Sequence, residues 1–130
     1  MNELWRALRL RCPHCGQRKM FFRWIRQFAE CAACGLKFDR GESDYYIGAY
    51  TLNLIIAELI VVGAMVAVII WEWPDVPWKA MPYALAATAI VGPLVTYPYS
   101  KAIWLALDLR FRPPEPKDFV NSVDARAERP

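Results

Sequence analysis

Four cysteines stand in two CxxCG units, Cys12-Pro13-His14-Cys15-Gly16 and Cys31-Ala32-Ala33-Cys34-Gly35, with fifteen residues between Cys15 and Cys31. That spacing is the one expected of a four-cysteine zinc site. Each unit must turn tightly to aim two sulfurs at one ion, and a glycine after the second cysteine permits the positive φ of such a knuckle. Zinc then closes a tetrahedron of thiolates, and its binding energy folds a segment too small to hold a core of its own. The expectation is one structural Zn2+ per chain, held by Cys12, Cys15, Cys31 and Cys34. With four sulfurs committed, no position is left open for a substrate. Two disulfides are the alternative, and they belong to an oxidising compartment. His14 is the chain's sole histidine, and it reads as an exposed loop side chain within the first knuckle.

A second group of polar residues is set in apolar sequence. Glu58 lies near the middle of the run from Tyr45 to Trp71. A carboxylate there is expensive, so it is either functional or a hydrogen-bonding link to a neighbouring helix. Helical spacing puts Thr51 on nearly the same face, in line with Asp44. Asn53 points elsewhere and is expected to meet backbone or a partner helix. In the second apolar run, Gly92-Pro93 and Pro98 interrupt the amide ladder, so Pro93 frees the carbonyl of Ala89 and Pro98 that of Leu94. Glu58 and Gly92 fall at similar depth in an antiparallel pair, and the carboxyl is expected to donate to the carbonyl freed by Pro93. Tyr97, Lys101, Trp104 and Asp108 recur at helical spacing as one stripe, which suits interfacial anchoring or docking of the N-terminal segment.

The elements that must position these residues follow from how charge is distributed. Hydrophobic residues make up 56% of the 130, and the net charge is +3. Charged side chains crowd toward both ends. Residues 1–43 are expected as the cysteine domain, with Met20–Ile25 and Gln27–Glu30 as a short β-hairpin. Residues 44–110 are expected as a two-helix hairpin with transmembrane spans at about 45–71 and 80–103, each longer than the roughly 20 residues needed to cross a bilayer core. Tyrosines and tryptophans flank both runs in the manner of interfacial belts, and two prolines in the link Glu72–Lys79 break the helix. Residues 111–130 read as a mobile tail after Pro113-Pro114-Glu115-Pro116. The expected fold is thus a small zinc ribbon, a β-hairpin with two CxxC knuckles, joined to an α-helical hairpin of two transmembrane spans.

Basic residues cluster before the first run and at or after the end of the second, whereas the link has only Lys79. The positive-inside bias puts both termini in the cytoplasm, where thiols stay reduced and metal-loaded. The first eleven residues lack the apolar core of a secretory signal, because Arg6, Arg9 and Arg11 interrupt it.

Arg11–Gly16, the aromatic stretch Met20–Trp24, Cys31–Gly35 and the acidic stretch Asp39–Asp44 together make the chain similar to a bacterial membrane family, domain of unknown function 983. The resemblance covers nearly the whole chain. It implies a zinc-binding N-terminus, two membrane spans and an inner-membrane location. Some members look associated with cytochrome c oxidase genes, which implies a part in assembling that complex.

The residues themselves favour an accessory binding module over an enzyme, because no convergent titratable set accompanies Glu58. The expected partners are the lipid bilayer and either other membrane subunits or further copies of the chain. A proton- or ion-handling role for Glu58 is the rival. Arg18, Lys19, Arg23 and Arg26 alternate with Phe21, Phe22 and Trp24, a pattern that nucleic-acid binding would use, but contact with anionic headgroups accounts for it as well.

Overall fold

Tyr45 begins a stretch of leucine, isoleucine, valine and alanine without a proline before Pro74, and it forms one continuous helix. In the computed structural model, which describes residues 2–120, the helices are α1 (Asn2–Leu8), α2 (Tyr45–Glu72) and α3 (Met81–Phe111), followed by a 3-10 turn at Pro116–Asp118. At 1.5 Å per residue, the 28 residues of α2 reach about 42 Å. Trp73 is extended and Pro74 cannot continue the ladder, so α2 stops there. α3 begins with Pro82 in its first turn, where a missing N–H costs nothing. It ends at Arg112, ahead of two prolines.

α2 and α3 pack against each other, and α1 lies against α3. Gly48 permits close approach of the long helices: a Cβ there would overlap the Trp104 indole. One core runs without a break from the cysteine segment (Cys12, Met20, Cys31, Leu36, Phe38) through Tyr45 into the last turns of α3 (Ala102, Leu105, Ala106, Leu109). The cysteine segment therefore sits on the C-terminal half of α3 and draws its apolar contacts from it.

Two expectations are corrected. No strand forms among the described residues, so the cysteine segment is not a β-hairpin ribbon. Backbone pairing is confined to isolated antiparallel bridges, Phe21 with Gln27, Glu30 with Lys37, and Leu36 with Phe119. The chain between the knuckles bends at nearly every residue from Phe22 to Ile25, which leaves no run long enough for a ladder. The second correction concerns the spans. Among the described residues α2 alone is long and apolar enough to cross a membrane. α3 matches it in length, but Thr88, Pro93, Thr96, Tyr97, Pro98, Tyr99, Ser100 and Lys101 dilute its apolar character. Only 6% of the most apolar window of α2 is buried within the chain.

Of the segment expected as a tail, residues 115–120 are tied to the second knuckle. The Val120 amide donates to the Gly35 carbonyl (2.8 Å) and the Lys37 amide to the Asp118 carbonyl (2.8 Å). Residues 121–130 lie outside the described residues.

Candidate metal centre

Each CxxCG unit folds back on itself through the same two hydrogen bonds. The Gly16 amide donates to the Cys12 carbonyl (2.8 Å) and the Cys12 amide to the Gln17 carbonyl (2.9 Å). In the second unit Gly35 donates to Cys31 (2.9 Å) and Cys31 to Leu36 (2.9 Å). Both glycines take the positive φ that the spacing predicts, +79° at Gly16 and +73° at Gly35. The two knuckles are thus copies of one turn, set face to face.

Their four sulfurs converge. All Sγ atoms of Cys12, Cys15, Cys31 and Cys34 lie within 4.8 Å of one another, with Cys12 to Cys34 at 3.9 Å and Cys15 to Cys31 at 3.5 Å. A tetrahedron with metal–sulfur bonds of about 2.3 Å has edges of about 3.8 Å, so the spacing suits one thiophilic ion. None of the four is in a disulfide. Burial pushes the Cys12 thiol well above its ordinary range and Cys34 up to about 11. At Cys31 burial also opposes ionisation, but hydrogen bonds from the Cys34 and Ala33 amides and from the Cys15 and Cys34 thiols together hold the thiol below its ordinary value. A cation among the sulfurs would reverse the balance at Cys12 and Cys34, because a coordinating thiol is deprotonated outright.

The knuckles are braced from outside. Arg6 of α1 donates through Nη1 to the carbonyls of Pro13 (3.4 Å) and His14 (3.0 Å). His14 packs edge-on against Phe119, with ring centroids 5.3 Å apart. It is an exposed turn residue beside the cluster, as expected, and is not among the four clustered side chains.

A second polar centre locks this segment to α3, and of its charged side chains the sequence pattern points only to Asp108, in the stripe. Arg40 is buried and donates to Asp108 Oδ2 (2.8 Å), Asp118 Oδ2 (2.6 Å) and the Arg112 carbonyl (2.7 Å). Tyr45 Oη donates to the same Asp108 oxygen (3.2 Å). Burial opposes charge on Arg40, but the Asp118 and Asp108 carboxylates outweigh it and raise the guanidinium above its usual value. Burial likewise opposes charge on Asp118, and Arg40 holds that carboxyl below the usual range. The partners lie 68 and 78 residues from Arg40 in sequence, so no local pattern pairs them with it.

Between the long helices the polar hub is Asn53. It donates to the Pro93 carbonyl (3.3 Å) and accepts from the hydroxyls of Thr96 (2.7 Å) and Ser100 (3.0 Å). Glu58 is exposed, and no hydrogen bond joins it to the carbonyl of Ala89. Thr51 turns back on its own helix, to the Ile47 carbonyl (3.0 Å). Gly92, Pro93 and Pro98 all lie within the continuous α3. The stripe on α3 is engaged along its length. Lys101 lies over the rings of Tyr46 (4.2 Å) and Tyr97 (4.9 Å), Trp104 lies against Gly48, and Asp108 takes Arg40.

Residues 21–108 match a family model described as "Protein of unknown function (DUF983)". The match takes in the second knuckle, α2 and most of α3, and begins after Cys15. No curated protein matches the chain, and no solved structure does.

Proposed function

The chain belongs to the DUF983 family of proteins of unknown function, and we propose that it is a membrane-anchored accessory protein whose cysteine cluster is a closed, structural zinc centre. One observation carries this reading: the four sulfurs lie within 4.8 Å of one another, and four thiolates on one tetrahedral ion would leave no open position for a substrate. Zinc is favoured over other ions by an all-thiolate donor set from two CxxC knuckles. The anchor is α2, with mean hydropathy 2.7 over its most apolar 18 residues and nearly all of that surface turned outward. The cysteine segment faces the cytoplasm, as its basic residues and free thiols favour. Among the described residues Glu58 stands in no group of three or more His, Cys, Asp or Glu side chains of the kind that ion handling would use.

The role that fits is support of a larger membrane complex, with the rigid metal-bound segment as the docking element. Cytochrome c oxidase is the complex suggested by the family resemblance. Purification of the full chain in mild detergent, with metal analysis and identification of co-purifying subunits, tests both parts. Zinc at about one per chain together with stoichiometric membrane subunits supports the reading. A metal-free, solitary protein with a small molecule at Glu58 overturns it.

A further inference from the structure

The bend between the knuckles ends in a loop that does not stay with the metal centre. Gln27 accepts from Tyr46 Oη (3.1 Å) near the start of α2, at the level where Lys101 covers the Tyr46 ring. From there the loop runs along α3. Trp24 packs edge-on against Tyr99 at 6.2 Å between centroids and donates through Nε1 to the Leu94 carbonyl (2.8 Å). Leu94 is seven residues from Lys101, so the tip reaches about 10 Å further down the helix pair than Gln27 does. That is the depth of the Asn53 hub, whose hydrogen bonds go to Pro93, Thr96 and Ser100.

The tip is apolar where it faces outward. Phe22, Trp24 and Ile25 are 51%, 51% and 58% exposed. Arg23 and Arg26 flank them, also exposed. The helix surface beside the tip is equally bare, with Leu94 and Val95 outward on α3 and Leu54 and Ile55 on α2 at the same depth. Whatever medium covers those helical side chains also covers Trp24, because its indole is hydrogen-bonded to that turn of α3. Aromatic and aliphatic side chains capped by two arginines match the boundary between acyl chains and anionic headgroups.

We infer that the loop Phe22–Phe28 is a lipid-binding wedge: Phe22, Trp24 and Ile25 enter the acyl boundary, and Arg23 and Arg26 hold anionic headgroup phosphates. This rests on the reading of α2 as a membrane anchor and extends it to a part of the chain with no helix. The bond to Leu94 gives the wedge its angle by fixing the loop against α3.

Photo-crosslinking of the full chain tests it, in vesicles of equal parts phosphatidylglycerol and phosphatidylcholine. Benzoylphenylalanine is placed at one exposed position at a time: Ile25 in the wedge, Leu59 on α2, and Arg18 beside the first knuckle. Lipid adducts are expected at 25 and 59, with yields at 18 on the order of tenfold lower. Phosphatidylglycerol should predominate at 25, and each of Arg23→Gln and Arg26→Gln should reduce that preference by roughly fivefold at most. Lipid adducts at 59 with none at 25, or with protein adducts at 25, overturn the wedge while the anchor stands. No lipid adduct at 59 removes the anchor and the wedge with it. Adducts at 25 indifferent to headgroup charge overturn the role given to the arginines.

Discussion

Trp24 donates its indole N–H to the carbonyl oxygen of Leu94 over 2.8 Å, and that carbonyl is the one Pro98 deprives of a helical amide four residues on. A proline inside a helix leaves an acceptor that must be satisfied from elsewhere, the more so where water is scarce. Here the donor comes from a loop seventy residues earlier. The defect in α3 is thereby the attachment point of the cysteine segment's outermost loop.

This pairing is testable by a double-mutant cycle. Trp24→Phe keeps a ring but removes the donor, and should cost about 1–2 kcal/mol of stability in detergent. Pro98→Ala supplies an amide that can satisfy the Leu94 carbonyl within the helix. In that background the same Trp24→Phe change should cost markedly less, which unfolding of the four proteins would reveal as non-additivity. Equal costs in both backgrounds would show that the ring contact with Tyr99, and not the hydrogen bond, holds the loop.

Metal removal should undo more than the knuckles. Their core is shared with Ala102, Leu105, Ala106 and Leu109, so Cys12→Ser or Cys34→Ser should abolish zinc binding and also expose the last turns of α3. The α2 contacts at Asn53 lie farther from that core and should persist. Amide hydrogen exchange of the zinc-loaded and chelator-treated protein checks this, with loss of protection expected in residues 10–40 and 102–111.

Asn53 should matter more to helix pairing than Glu58. Asn53→Leu strips a donor from the Pro93 carbonyl and an acceptor from two hydroxyls, and about 1–2 kcal/mol of helix association should go with it. Glu58 is exposed, and Glu58→Gln should leave folding and complex assembly unchanged. Loss of assembly in Glu58→Gln protein at a normal membrane level would instead assign that side chain a reactive role.

Acid should loosen the Arg40 centre. The Asp118 carboxyl is held below its ordinary value of 3.8, so its unfolded form binds a proton first as pH falls. The stability it contributes is complete well above 3.8 and is lost as pH drops through the lower folded value. Asp118→Asn should flatten that part of the acid-unfolding curve. Arg40→Met strands two carboxylates beside a buried site and should cost about 3–5 kcal/mol, measurable by chemical denaturation at neutral pH. An unaltered stability in Arg40→Met would show that the centre is solvated.

The sequence by itself determined the features whose chemistry is local. Two CxxCG units a fixed distance apart imply matching knuckles, because the turn and its glycine are encoded within five residues, and both glycines do take positive φ. An apolar run with Glu58 as its one charged residue makes α2 a helix long and apolar enough to cross a membrane, and the prolines within the link end it. The freed carbonyl of Leu94 was legible too, since it follows from Pro98 alone. What answers that carbonyl was decided only by the tertiary structure. Trp24 reaches Leu94, Arg40 reaches Asp108 and Asp118, and Asn53 takes the interhelical role that spacing had assigned to Glu58. The β-hairpin and the second span failed for a related reason: a bridge becomes a strand, and an apolar helix a span, only through the whole run of neighbours, and Phe22–Ile25 and Thr96–Lys101 break those runs. Spacing along a chain specifies turns and helix faces over a few residues, whereas partners sixty or eighty residues apart are chosen by which surfaces packing brings together.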